Sequence, residues 1–417
     1  MRRRRTKLVA ACAAAALAAV FLITGRTGHE RAPSPRPPAN AEAFVDSVGV
    51  AMHLAYADTT YSHQAQVMSL LRRLGVTHVR EGVPVGSPAL KRGLRSVAGL
   101  GIGGTLVTAL NIAPRLAVPA ATAVMGGRLD GLEGPNELDH MGPPNWRARL
   151  VPYLRALRDS IARSRRPVAD VGPSFVDSSF YSLINPRMYD VASLHIYPGG
   201  EPPERPLAVQ IDQGHVVAPN RPIDVTETGY HNALAATTGQ PPVSEAAAAV
   251  YLPRALLAAF ADGAKRTFIY ELLDEQPEPG LLNPEKHFGL VRQDLSPKPA
   301  FFAVSNLLAA VRGSPGPAVT PPPAPSISSR GPLERLVLAR SDGSVVVALW
   351  RTASVWDVDR RAPLDPATVP VAVRWRRPVA DLAVTRPSLS ENPVMRSAST
   401  TRVSLSLRGD AVLLSYR

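Results

Sequence analysis

The chain has 417 residues, 45% of them hydrophobic, which is enough for one large domain plus a small one and excludes disorder throughout. Its formal charge of +13 suggests a nucleic-acid or membrane surface until it is divided along the chain. Residues 1–40 hold eight Arg/Lys against one acid, residues 333–417 thirteen against eight, and the span between them twenty-six against twenty-five. The basic excess lies at the ends, so a phosphate-tracking groove in the centre has little support and no nucleic-acid partner is expected.

Arg2–Arg5 and Lys7 precede sixteen apolar residues, Leu8–Ile23 (LVAACAAAALAAVFLI), long for a signal core and slightly short for a membrane span. Residues 1–42 are therefore expected to be a signal peptide or an N-terminal membrane anchor through residues 8–23, followed by a Pro-rich tether. The protein is expected to be exported, either extracellular or tethered to the outer face of the cell membrane. Ala39-Asn40-Ala41 fits a small-x-small cleavage pattern, although it lies well beyond the apolar core. Cys12 is the only cysteine, so the body forms no disulfide and no Cys-based metal site, and the nine His lack zinc-motif spacing. No metal and no cofactor are expected.

From 43 to 312 the chain alternates strand-like and helix-like runs. The strands are expected at Val48–Tyr56, His78–Val85, Gly103–Leu110, Leu129–Glu137, Ala169–Phe175, Tyr189–Pro198, Pro222–Tyr230 and Arg266–Glu275. Helical patterns lie between them, as in His63–Gly75, Asn145–Ser164 with Asn145 as a cap, and Ser244–Gly263 with Ser244 as a cap; the crossover over residues 111–128 is short and weakly patterned. Eight β-then-α units in about 260 residues fit a closed (β/α)8 barrel. The glycine-rich Gly99–Gly104 precedes its strand instead of following it, unlike a dinucleotide fingerprint. Residues 313–332, rich in Pro, read as a linker, and 333–417, with short alternating runs, as a small antiparallel β-sandwich. Trp350, Trp356 and Trp375 there could present a sugar-stacking face, but core packing is the stronger reading.

In such a barrel, chemistry sits at the C-terminal ends of the strands. Two carboxylates close apolar runs there, Glu137 in GLEGPNELDH after the fourth strand and Glu227 in IDVTETGY after the seventh. Facing carboxylates suit glycosidic bond cleavage, one protonating the leaving oxygen and the other ionised to attack the anomeric carbon. Arg80 at the tip of strand two would keep Glu227 ionised, and shielding behind sugar would raise Glu137 into the acid role. Arg80-Glu81 has a structural reading too, as an ion pair at the rim, and His195 as a core histidine. Asp139, His140, Asp274 and Glu275 are read as solvated loop residues.

The tips LEGPNELD and IDVTETGY, with VREG on strand two, SLHIYP on strand six and HFGLVRQDLSPKPAFFAV (His287–Val304) beyond strand eight, resemble the clan A glycoside hydrolases, retaining (β/α)8 enzymes, in their cellulase-like or xylosidase-like bacterial members. The resemblance covers Val48–Val311. It implies Glu137 as acid/base, Glu227 as nucleophile, Asn136 on the sugar 2-hydroxyl, and Arg80, His195 and Tyr197 positioning nucleophile and substrate; His53 joins them as a substrate-binding candidate. The partner it implies is an oligosaccharide, polysaccharide or glycoside with a β-linkage, and the reaction a double displacement through a covalent glycosyl-enzyme intermediate. One departure is IYELLDE (Ile269–Glu275) at the end of strand eight, where many members carry a Trp; Tyr270 is the candidate substitute. A carbohydrate-binding pseudoenzyme and a transglycosylase are the alternatives on the same barrel.

Overall fold

The computed structural model describes residues 38–313 and 318–417. Of the signal or anchor segment and tether expected over residues 1–42, residues 1–37, Cys12 included, lie outside the described residues. Among the described residues no helix is long and apolar enough to cross a membrane. Of the expected cleavage pattern, Ala39 pairs with Leu338 and Asn40 with Ala339 in a sheet, and Ala41 is buried.

Eight parallel strands form the centre: β1 (Val48–Ala51), β2 (His78–Gly82), β3 (Gly103–Val107), β4 (Leu129–Glu133), β5 (Ala169–Val171), β6 (Ala192–His195), β7 (Ile223–Thr228) and β8 (Ala264–Ile269). Their spatial order is β5-β4-β3-β2-β1-β8-β7-β6, and a bridge between Val171 and Val191 joins the two ends into a nearly closed barrel. Every residue of β1 and β7 is buried, as expected of parallel strands covered on both faces.

The helices cover the outside through apolar stripes at helical spacing. Gln64–Leu74 buries Val67, Leu70, Leu71 and Leu74 and stops at Gly75, whose φ of 82° gives a left-handed cap open to a residue without Cβ. Trp146–Ser164 buries Trp146, Leu150, Tyr153, Leu154, Leu157 and Ile161, although Asn145 makes no side-chain cap bond. Ser244 does cap Glu245–Ala261, its hydroxyl accepting from the Ala247 N–H. The weakly patterned third crossover holds a helix as well, Pro114–Met125, opened by a proline in its first turn.

A mostly antiparallel sheet follows, built from β9 (Ser326–Ser329), β10 (Glu334–Ala339), β11 (Val345–Trp350), β14 (Val369–Thr385), β15 (Met395–Leu407) and β16 (Val412–Tyr416), while β12 (Trp356–Asp357) and β13 (Ala362–Pro363) pair with each other as a separate two-stranded ribbon. The run 313–332, expected as linker throughout, thus supplies a strand that pairs with β14. β11 is buried on both faces. Val345, Val347 and Leu349 join Val371, Val373 and Leu414 in the sandwich core, while Val346, Ala348 and Trp350 join the barrel's cluster. Burying a side chain of this size contributes roughly 1.5–3 kcal/mol, so the alternation glues sheet to barrel. The fully buried Arg254 crosses the same seam, donating to the carbonyls of Ala353 and Gly409 with Glu204 as counter-ion. Trp350, Trp356 and Trp375 are 2%, 3% and 5% exposed, so they are core residues.

Candidate active site

The strand ends that close the barrel mouth bring Arg80 (β2), Glu133 (β4), Asn136 and Glu137 (the loop after β4), His195 (β6), Tyr197 just past it and Glu227 (β7) together. The ladder between β6 and β7 shifts register between Leu194 and His195, and that between β7 and β8 between Val225 and Thr228. Such irregularities re-aim side chains, and here they flank His195 and Glu227. Glu137 is placed by its own backbone. Its φ of 41° is left-handed, which costs an L-residue about 1–2 kcal/mol. The turn is held by its N–H on the Ser174 carbonyl (3.0 Å) and by its carbonyl, which accepts from His140 (3.0 Å) and Met141 (2.8 Å).

Arg80 organises the group. Its Nε and Nη2 donate to Glu133 at 2.7 and 2.9 Å, Nη1 to Glu227 Oε1 at 2.5 Å, and Nη2 also to Asn136 Oδ1 at 2.6 Å. The other Glu227 oxygen accepts from the Tyr197 hydroxyl at 2.6 Å. His195 Nδ1 lies 2.7 Å from Glu137 Oε1 and 3.5 Å from Glu227 Oε2. One oxygen of Glu137, one of Glu227 and a ring nitrogen of His195 all lie within 4.8 Å of one another. Asn136 Oδ1 also accepts from the Ser174 hydroxyl, so both its oxygen contacts fix the side chain by the acceptor end.

Charge states follow from this wiring. Burial disfavours a charged Arg80, but Glu133 and Glu227 outweigh it and hold the guanidinium firmly protonated. Burial pushes the Glu137 carboxyl up, yet the His195 hydrogen bond and the charges of His195 and Arg80 bring it below the ordinary carboxylate value. In the free site, without the sugar on which the expected rise of Glu137 depends, an imidazole partner sets the direction. Burial lowers His195, while the Glu227 charge and the Glu137 bond raise it above the ordinary 6.5. His195 and Glu137 thus act as a pair that keeps its last proton above that value.

The alternative reading of Arg80-Glu81 and the expectation for Asp274 and Glu275 both need correction. Arg80 and Glu81 are not partners: consecutive strand residues point to opposite sides, and Glu81 accepts instead from the Leu54 and Gly82 N–H groups at 2.5 and 2.7 Å. Asp274 and Glu275 are not solvated loop residues. Asp274 is 5% exposed and salt-bridged to buried Lys298 at 2.9 Å, and Glu275 meets His53 Nδ1 at 2.6 Å. Asp139 anchors a loop through the Val176 and Asp177 N–H groups, and His140 is exposed.

His53 sits beside the group, not within it. Its Nδ1 also faces Glu271 at 2.9 Å, and its ring stacks on Tyr56. Tyr270 links the two areas, its ring centroid 5.7 Å from His53, 6.3 Å from Tyr197 and 5.3 Å from Phe288. Residues missed in the sequence are Glu133, hidden inside an apolar strand run, and Glu285, whose carboxylate accepts from the Tyr270 hydroxyl at 3.4 Å. Burial and the charges of Glu227 and Glu137 push Glu285 up to about 7. Among the described residues two groups have ligand atoms close enough to share a metal ion, Glu137–His195–Glu227 and His53–Glu271–Glu275, and in each the imidazole hydrogen-bonds a carboxylate, Glu137 in the first and Glu275 in the second.

No family model matches the chain, and no curated protein does. Solved structures do. A family 39 glycoside hydrolase from the gut symbiont Bacteroides cellulosilyticus WH2 aligns over 91% of this chain and 83% of its own at 16% identity and a TM-score of 0.64. The GH39 enzyme from Xanthomonas axonopodis pv. citri aligns over 91% and 94% at 12% identity and 0.57. A monomeric beta-xylosidase from Caulobacter crescentus CB15 aligns over 91% and 96% at 14% identity and 0.57. At these identities the likeness is one of fold: a (β/α)8 barrel followed by a β-sandwich.

Proposed function

We propose that this protein is a retaining glycosidase acting on a β-linked glycan or glycoside. The observation that carries the reading is the convergence of Glu137 and Glu227 on opposite sides of the mouth, their nearest oxygens within 4.8 Å. Carboxyl groups about 5–5.5 Å apart suit nucleophilic attack on the sugar, whereas inverting pairs stand roughly 6.5–9.5 Å apart to admit a water. The neighbours divide the labour. Glu227, bonded by Arg80 and Tyr197, is the nucleophile, since both partners stabilise its anion. Glu137 gives its proton to the leaving oxygen and then takes one from the attacking water. Its low proton affinity in the free site is offset by His195, whose Nδ1 lies 2.7 Å away and supplies the proton that Glu137 passes to the leaving oxygen.

Asn136 orients the 2-hydroxyl, and Tyr270, whose ring lies 6.3 Å from that of Tyr197, is the candidate floor of the sugar site in place of a Trp. The fold shared with glycoside hydrolases supports the same class of substrate. Residues 8–23 carry the protein out of the cytoplasm and either anchor it to the membrane or are removed. Glu227→Ala abolishes turnover of an activated aryl glycoside, by on the order of 10⁴-fold or more, and azide restores part of it with inverted product. Equal activity in the variant contradicts the assignment.

A further inference from the structure

Away from the barrel mouth, three strands of the sandwich lie side by side: β9, the first part of β14 and the last part of β15. Alternation sends Ile327, Val371, Val373, Val403 and Leu405 into the sandwich core. The same alternation turns Ser326, Ser328, Arg374, Arg376, Arg402, Ser404 and Ser406 to solvent. Register sets Ser326, Arg374 and Arg402 in one row across the three strands. Like charges directly opposite on an antiparallel pair, with Cβ atoms about 4.5–5.5 Å apart, destabilise the sheet. Acids elsewhere in the molecule neutralise such arginines, but the guanidiniums of Arg374, Arg376 and Arg402 have no ion pair or hydrogen bond among the described residues. Beside the row, Arg374 and Arg376 with Ser326, Pro323 and Pro325 line a cavity of about 470 Å³.

We propose that this face binds an acidic polysaccharide, whose carboxylate or sulfate groups sit between Arg374 and Arg402 and in the cavity beside Arg376. Anions placed there remove the repulsion that the bare sheet carries, and guanidinium forks match carboxylate and sulfate geometry. The surrounding chemistry selects a glycan over the other polyanions. Four serine hydroxyls flank the arginines and suit sugar hydroxyls. No large apolar side chain is exposed on Ser326–Ser329 or on residues 369–376 and 402–407, so nothing there inserts into a lipid surface. Trp375, the one aromatic residue of these segments, is buried, so no ring is offered to a nucleic-acid base. The site is separate from the barrel mouth and does not depend on cleavage there.

Affinity electrophoresis of the full chain in gels containing polyguluronate or dextran sulfate tests this, with neutral dextran as control. The wild-type protein is retarded by both acidic polymers and not by dextran, and the retardation fades as salt is raised to about 0.5 M, where charges are screened within a few ångströms. The double variant R374E/R402E loses about tenfold or more in apparent affinity, while R374K/R402K keeps most of it. An unchanged melting temperature and unchanged turnover of a small aryl glycoside in R374E/R402E show that the loss belongs to the sheet and not to the barrel. Equal retardation of wild type and R374E/R402E overturns the proposal. So does retention by duplex DNA or by phosphatidylglycerol vesicles without retention by the acidic glycans.

Discussion

At the ends of β2, β4, β6 and β7, Arg80 stands among Glu133, Glu137 and Glu227, while at the ends of β1, β2 and β8 a single imidazole, His53, stands among Glu81, Glu271 and Glu275. Both clusters are built from glutamates at or just past strand ends, yet burial and neighbours shift Glu137 in one and Glu81 and Glu271 in the other in opposite directions. In the first, a permanent cation with five donors spreads over Glu133 and Glu227, and the His195 hydrogen bond and charge, with a smaller share from Arg80, leave Glu137 below its ordinary proton affinity. In the second, burial dominates: it takes Glu81 up to about 7 and Glu271 up to about 8, against the opposing charge of His53. An arginine offers its carboxylates a permanent set of donors. A lone histidine leaves them sharing protons. The alternation of β2 distributes the two roles, since Arg80 and Glu81 are consecutive and face different clusters.

The comparison breaks most sharply at Arg80. Arg80→Met leaves Glu133, 0% exposed, with only the Ser193 hydroxyl at 3.2 Å. Unfolding in denaturant is expected to show a loss of roughly 3–5 kcal/mol. Turnover of an aryl glycoside is expected to fall on the order of 10³-fold as the anion-stabilising donors disappear. Retained stability and activity would show that the arginine is not what separates the clusters.

The second cluster is sharpened by pH. Glu81 and Glu271 of that cluster, and outside it Glu285 at about 7, Asp170 at about 7 and Asp224 at about 6, all bind their protons more tightly folded than unfolded. Groups raised in this way contribute stability that is complete below the unfolded carboxylate value near 4 and is lost as pH rises through about 6 to 8. The melting temperature is therefore expected to drop by on the order of 5 °C between pH 5 and pH 8. Glu271→Gln keeps an acceptor for His53 and Tyr61 without a titrating proton. Its melting temperature stays close to wild type at pH 5, lies above it at pH 8, and the slope between them flattens. A wild-type protein more stable at pH 8 than at pH 5 would reverse the assignment of charge.

Much of this was legible in the sequence, for identifiable reasons. Eight strand runs in phase with helical ones carry the barrel, because strand and helix periods differ and each run lies close to its final place. The tips were harder. The fourth run was expected to continue to Glu137, but the ladder ends at Glu133: Pro135 has no N–H to offer and Glu137 turns the chain with its positive φ. Glu133 escaped notice because its meaning depends on Arg80, two strands away. Glu285 lies in a short turn of Pro284–Lys286 that no periodicity marks. Asp274 and Glu275 looked solvated because the sequence does not show that the later segment folds back, pairing Leu273 with Val291 and bringing Lys298 beneath. The bulges that aim His195 and Glu227 likewise arise from pairing between strands.

The central claim is that Glu227 forms a bond to the sugar while Glu137 serves as acid and base. Incubation with a 2-deoxy-2-fluoro glycoside bearing a good leaving group, followed by peptide mass spectrometry, tests it directly. The account predicts a stoichiometric mass increase on the peptide that contains Glu227, with loss of activity at the same rate. Labelling of a different carboxylate, or turnover with inverted configuration and no adduct, would contradict it.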